Sequence, residues 1–169
     1  MPNQRFRDSL LAVYHGEQFG EAVFESMLEQ AADDEQRFII GTLLQLETEG
    51  KAIVRPVLSG FGLSLKQNPD ARARGKAGAQ SLQDMSWTEK FASMAASIRA
   101  RGLPQYEELA TLVSVDEDPI AYRLALFMGR HERAILEASE NVASGRMDPM
   151  APVIEVLHFP LNPLPGVAH

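Results

Sequence analysis

Acidic side chains occupy positions in the first predicted helix where the surrounding pattern favours leucine or phenylalanine. Glu17 and Glu21 fall on one inward-facing stripe, whose members advance by alternating steps of four and three residues. The stripe consists of Leu10, Tyr14, Glu17, Glu21, Phe24 and Leu28. A carboxylate buried in an apolar core must be neutralised by a proton, a cationic side chain or a metal ion. These two residues therefore predict a polar site inside a helical bundle.

Two later helices interrupt their apolar stripes in the same way. Glu47 is the one charged member of the second stripe, and His131 is flanked by apolar residues one turn away on each side. Each lies near the middle of its helix, so in a bundle of neighbouring helices they meet at a similar depth. We predict that Glu17 or Glu21 approaches Glu47 and His131, where they could hold a divalent metal ion. The alternative is that each carboxylate pairs with a basic residue and has only a structural role. Glu49 falls on a different face, predicted to point to solvent or to an interface.

Other residues near these stripes carry weaker signals. Glu132 follows the predicted histidine ligand but lies about 100° away around the helix, so the two cannot point to one spot. Tyr14 is predicted to pack in the core with its hydroxyl at the rim, with a hydrogen bond to a carboxylate of the stripe as the alternative. His15 is predicted at the surface, with the edge of the site as the alternative. Gly16 and Gly20 form a stripe of small residues that predicts close helix packing or a dimer interface.

Composition excludes several classes of function. The 169 residues, 45% of them hydrophobic, suit a single domain spanning 1–169. The absence of cysteine excludes disulfides, thiolate catalysis and cysteine-ligated zinc or iron–sulfur centres. A net charge of -7 and basic runs without interleaved aromatic residues predict no nucleic-acid partner. No apolar run is long enough for a signal peptide or a membrane span, so we expect no membrane association and a cytoplasmic location.

Four long periodic segments account for most of the chain and predict an all-α fold. The predicted helices span about 6–31, 34–61, 86–113 with a break near 102–104, and 118–144. The stretch 64–84 is non-periodic and is predicted as a long crossover loop, which would make the second and third helices parallel. Residues 149–169 are rich in proline and are predicted to form an extended tail across the bundle surface.

Three stretches of sequence carry a family resemblance. They are YHGEQFGEAVFESML at 14–28, LLQLETEGKAIVRPVL at 43–58 and GRHERAILEASENVASG at 129–145. With them the chain resembles the ferritin-like superfamily, specifically small bacterial-type ferritin-like proteins of undefined function. The resemblance implies a four-helix bundle with one long crossover. In di-iron members it also implies a glutamate from the first and third helices and a Glu-x-x-His pair from the second and fourth.

The chain keeps about half of that ligand set. The first-helix glutamate corresponds to Glu17 or Glu21, while the second helix keeps Glu47 but has Gly50 in the place of the histidine. The fourth helix keeps His131 with a methionine in the place of its partner glutamate, and the third helix has no inward acid. This departure predicts at most one weakly bound divalent ion, Fe(II), Mn(II) or Zn(II), and no two-iron chemistry.

The sequence leaves several functions open. The favoured one is a ferritin-like helical protein, metal-poor or metal-free, that acts by association or by holding an apolar small molecule among its helices. The alternative is a metal-dependent oxidoreductase, using non-haem iron or manganese, with a reduced ligand set. A third is a structural, dimeric bundle. For each of them we expect a homodimer.

Overall fold

The computed structural model describes residues 3–161, and over that range it contains helices and no strand. The helices are α1 (Gln4–Leu28), α2 (Asp34–Gly60), α3 (Pro69–Ser81), α4 (Trp87–Ser97), α5 (Leu103–Leu109), α6 (Pro119–Ala143) and α7 (Ala151–Ile154), with a π-helical segment (Ile98–Gly102) between α4 and α5. The all-α prediction is confirmed. None of the helices in the described range is both long and apolar enough to cross a membrane.

The first two predicted helices are present as α1 and α2 and run antiparallel. The side chains of Asn3 and Asp33 cap them by accepting hydrogen bonds from backbone N–H groups in the first turn. Arg7, near the start of α1, donates a 2.7 Å hydrogen bond to the carbonyl oxygen of Phe61, just after the end of α2. α1 ends at Leu28, earlier than the sequence pattern predicts.

The stretch 64–84 is not a loop throughout, because α3 forms inside it, and this prediction is wrong. The helix was missed because its buried face has no large apolar residue to produce a helical period. At Gly75 the helix comes so close to α1 that a Cβ atom would overlap the carbonyl oxygen of Phe19. The buried face consists of Ala71, Gly75 and Ala79.

The third predicted helix is divided, as expected, into α4 and α5. The chain nevertheless stays helical through the break, because the π-helical segment widens the hydrogen-bond ladder for one turn. Pro104, which has no N–H to donate, falls in the first turn of α5. α5 ends at Leu109, short of the predicted 113. α6 follows the prediction closely: Asp118 caps it and Pro119 is its first residue.

The C-terminal segment is only partly extended. Ala151–Ile154 forms one short helix where a tail without helix was predicted, because its apolar side chains pack into the core. Met150, Val153 and Leu157 are buried there. Residues 162–169 of the predicted tail lie outside the described residues.

The hydrophobic core consists of two clusters separated by a polar layer. Both clusters include residues from α1, α2 and α6. In each of these helices, one half packs into the first cluster and the other half into the second. The first includes Phe24, Leu43 and Ile135, and the second includes Leu10, Val54 and Met128. The polar residues predicted from the broken stripes lie between them, so the fold brings mid-helix positions to one depth.

Candidate metal centre

Three of the predicted residues converge between α1, α2 and α6. Glu17, Glu47 and His131 are 0%, 5% and 0% exposed, and one potential ligand atom from each lies within 4.8 Å of the others. The distance between His131 Nε2 and Glu17 Oε2 is 3.2 Å. His131 Nε2 also lies 3.2 Å from the carbonyl oxygen of Leu46, to which it donates when protonated. This buried group, which we call the triad, could hold a metal ion.

The third helix contributes a phenol where the resemblance implies a carboxylate. The hydroxyl of Tyr106, in α5, donates a 2.7 Å hydrogen bond to Glu17 Oε1. Its ring stacks on the His131 imidazole at 10° between planes and 6.2 Å between centroids. Tyr106 thus orients both neighbours. Tyr106 was not predicted as a site residue because it lies among apolar residues in the sequence. The one indication of a polar role is that a buried phenol requires a hydrogen-bond partner.

Glycines make the room in which these side chains pack. A Cβ atom at Gly50 would overlap Glu17 Oε2 and lie 2.8 Å from His131 Nε2, and one at Gly20 would lie 2.8 Å from Glu47 Oε2. The space beside Gly50 is therefore filled by the carboxylate of Glu17 from another helix. Gly16 and Gly20 were predicted to serve packing or a dimer interface. They serve close packing, since they face Tyr106 and Glu47 inside the protein.

Glu132 is a fourth acidic group beside the triad. It is buried, and a Cβ atom at Gly102 of the π-helical segment would overlap its Oε1. Burial raises the pKa of Glu132 to about 7, since the opposing effect of His131 is smaller and Glu17 adds to the rise. Gly102 in the π-helical segment therefore leaves space for the buried carboxyl group of Glu132.

Burial and mutual repulsion set the protonation of the triad. Burial raises the pKa of Glu47 well above its ordinary value, and the carboxylates of Glu17 and Glu132 raise it further. Burial lowers the pKa of His131, but the adjacent Glu17 carboxylate outweighs it and the net shift is upward. Burial and the same carboxylate also raise the pKa of Tyr106, which keeps its hydroxyl a donor. Both upward shifts favour the protonated forms of Glu47 and His131, which reduce the negative charge of the triad.

Glu21 does not join the triad. Its carboxylate accepts a 2.6 Å hydrogen bond from Lys51 Nζ and a 3.0 Å hydrogen bond from Arg72, and Thr48 also donates to it. The choice that the sequence left open between two glutamates is therefore settled in favour of Glu17. Glu21 is instead the centre of an ion-pair cluster joining α1, α2 and α3.

One further expectation is wrong, and the less favoured alternative for Tyr14 does not hold. Glu49, predicted to point to solvent or to an interface, is buried under the C-terminal segment, whose residues His158 and Phe159 donate backbone hydrogen bonds to it. Tyr14 donates to the carbonyl oxygen of Leu65 and not to a carboxylate of its stripe. In both cases the partner lies in a segment that has no helical period to place it.

A cavity of about 750 Å³ opens beside the triad. Glu47, Tyr106 and Glu132 form its buried side, and His15 lines its more open side. Glu47 thus belongs to both the triad and the cavity, so a small molecule in the cavity would lie next to a potential metal ligand.

Two buried polar atoms of the triad lack hydrogen-bond partners among the described residues. They are Glu17 Oε2 and His131 Nδ1. Buried polar atoms are normally satisfied, so an orphaned carboxylate oxygen facing an imidazole suits a cation. Two carboxylates and one imidazole are a donor set compatible with Fe(II), Mn(II) or Zn(II).

No family model matches the chain, and neither the curated proteins nor the solved structures include a match to it. Any function must therefore be inferred from the chemistry of the site.

Proposed function

We propose that the protein is a ferritin-like helical protein that holds one divalent metal ion between Glu17, Glu47 and His131. With this ion the protein acts as a metal-dependent oxidoreductase that has a reduced ligand set. Its substrate is a small molecule in the adjoining cavity. The observation that carries the proposal is the meeting of three buried ligands from three helices, where Glu17 Oε2 has no partner among the described residues other than the His131 imidazole 3.2 Å away.

The directions of the helices support a ferritin-like arrangement. The side chain of Asn3, at the start of α1, contacts the carbonyl oxygen of Leu112, whereas Tyr106 contacts that of Val13 further along the same helix. Residue numbers therefore rise along α1 while those of its contacts in and after α5 fall, so α5 is antiparallel to α1. Because α1 and α2 are antiparallel, α5 is parallel to α2. Such an arrangement requires a long connection between α2 and α4, and the connection 61–86 provides it.

The surrounding residues have defined roles in this proposal. Tyr106 would fix the orientation of Glu17 through its hydrogen bond, leaving Oε2 for the ion. Bound iron or manganese would supply one-electron chemistry, whereas zinc would supply only Lewis acidity. The cavity would admit the reacting molecule on the Glu47 side.

Metal titration tests the site. We expect calorimetry with MnCl₂ or ZnCl₂ to detect one ion per chain. His131→Ala should weaken binding by roughly 100-fold or more, because loss of an outer-shell partner alone costs about 10–100-fold. Tyr106→Phe, which keeps the stacked ring, should weaken it by roughly tenfold through the loss of that outer-shell hydrogen bond. Glu107→Gln is the control, since its side chain is an exposed carboxylate in the same α5 helix. Binding that survives His131→Ala unchanged would contradict the assignment.

Metal affinity should rise with pH. Ligands must lose their protons to bind an ion, and the pKa values of Glu47 and His131 are both raised. Below those raised pKa values, the affinity should fall by roughly tenfold per pH unit for each proton displaced. Calorimetry in buffers of different ionisation enthalpy would count the released protons. An affinity independent of pH between pH 5 and 8 would show that the ion binds elsewhere.

A second candidate is a metal-free protein that binds a small molecule. It is favoured by the upward pKa shift of Glu47, which lets a proton neutralise the carboxyl group without an ion. In that case titration detects no metal, while the cavity still binds its ligand. The homodimer stays a prediction.

A further inference from the structure

The open side of the cavity is positively charged. Arg74 of α3 and Arg101 of the π-helical segment line it, and both side chains are exposed. Within residues 3–161 neither forms an ion pair with a carboxylate, and Arg101 donates only to Ser97 Oγ at 2.8 Å. Two exposed guanidinium groups along one cavity are suited to an anionic group, which each could bind through paired hydrogen bonds.

The walls of the cavity are largely apolar between this opening and the buried carboxyl groups. Aromatic, aliphatic and thioether side chains from α1, α4, α6 and the π-helical segment meet there. They include Phe24, Met94, Ile98 and Ile135. An apolar molecular body would remove their surface from water, which is the usual driving force for a cavity of this size.

We infer that the cavity binds an amphipathic organic anion, a carboxylate with an aliphatic or aromatic body. Its carboxylate would lie at Arg74 and Arg101, and its body would lie along the apolar walls toward Glu47 and Glu132. A cationic ligand is disfavoured because the two arginines that line the cavity would repel it. This inference concerns binding alone and holds with or without a metal ion. If the ion is present, the end of the molecule remote from its carboxylate would lie next to Glu47.

Gly78 offers a way to fill the cavity without disturbing the fold. It lines the cavity on α3, and a Cβ atom there would come no closer than 3.7 Å to any neighbouring atom, the nearest being in Phe19. Gly78→Leu would therefore extend a side chain into the space, and leucine also favours the helix over glycine. The matched control is Ala77→Leu, at the preceding and exposed position of the same helix, which does not line the cavity.

Calorimetric titration with decanoate tests the inference, with decylammonium as a probe of equal chain length and opposite charge. We expect one decanoate per chain and at least tenfold weaker binding of decylammonium. The double variant Arg74→Ala with Arg101→Ala should weaken decanoate binding by roughly tenfold or more, because charge-assisted hydrogen bonds are lost. Gly78→Leu should weaken decanoate binding, because its side chain takes up part of the cavity, and Ala77→Leu should leave it unchanged.

The outcomes separate this inference from the proposed metal site. His131 does not line the cavity, so His131→Ala should lose metal and keep decanoate binding, provided that circular dichroism shows a native helix content. Equal or tighter binding of decylammonium would overturn the anion assignment. An affinity for decanoate that is the same in Gly78→Leu as in Ala77→Leu would show that the ligand lies outside the cavity.

Discussion

Gly50→Ala is expected to destabilise the protein and to remove its metal affinity, although the same change in an ordinary helix stabilises it by about 1 kcal/mol. The added Cβ atom would overlap Glu17 Oε2 and lie 2.8 Å from His131 Nε2. Both neighbours are fully buried, so Glu17 can move only by giving up its contacts with Tyr106 and His131. Overpacking of this kind costs about 1–3 kcal/mol of unfolding free energy.

Gly60→Ala is the control for Gly50→Ala. Gly60 is the last residue of the same helix, and a Cβ atom there would have no neighbour within 4 Å. We expect this variant to keep the stability and metal binding of the native protein. Urea denaturation measures the difference in unfolding free energy between the two variants. A Gly50→Ala variant as stable as Gly60→Ala would show that Glu17 is not packed against Gly50.

Lys51→Met is expected to lower the free energy of unfolding by about 3 kcal/mol, because removing one partner of a buried ion pair leaves a charge uncompensated. The side chains of Lys51 and Glu21 are each 9% exposed, and the Lys51 ammonium contacts both oxygens of the carboxylate. Arg72 still reaches Glu21, which keeps the expected loss at the lower end of the range for buried pairs. Thermal and urea denaturation would measure it.

A double variant shows whether the loss comes from the ion pair. Adding Glu21→Leu to Lys51→Met removes the stranded carboxylate and should restore most of the lost stability, since an apolar pair can replace a buried ion pair. Arg37→Met provides the surface comparison. Its pair with Asp34 is exposed and should be worth less than about 1 kcal/mol. Equal effects of Lys51→Met and Arg37→Met would contradict the buried cluster.

The sequence predicted the centre of the site because polar residues at apolar positions are informative. Glu17, Glu47 and His131 each interrupt a stripe near the middle of a helix, and the two core clusters on either side of them fix their common depth. The sequence could not separate Glu17 from Glu21. That choice depends on Lys51 and Arg72, which approach from two other helices.

Features that depend on small residues escaped prediction. The buried face of α3 is built from alanine and glycine, which carry no hydrophobic period, and the glycines around the triad act by leaving space for side chains of other helices. Tyr106 was missed for a different reason. A tyrosine on an apolar stripe packs as a core residue, and only the fold shows which carboxylate its hydroxyl reaches.

The metal content of the protein tests the central claim most directly. The native protein and the His131→Ala variant should be purified without chelator and without nickel resin, and then analysed for iron, manganese and zinc. The proposed site predicts one of these ions per native chain at most, with close to full occupancy after reconstitution, and none in the variant. Two tightly bound ions per chain, or no ion after reconstitution with each metal, would contradict the account.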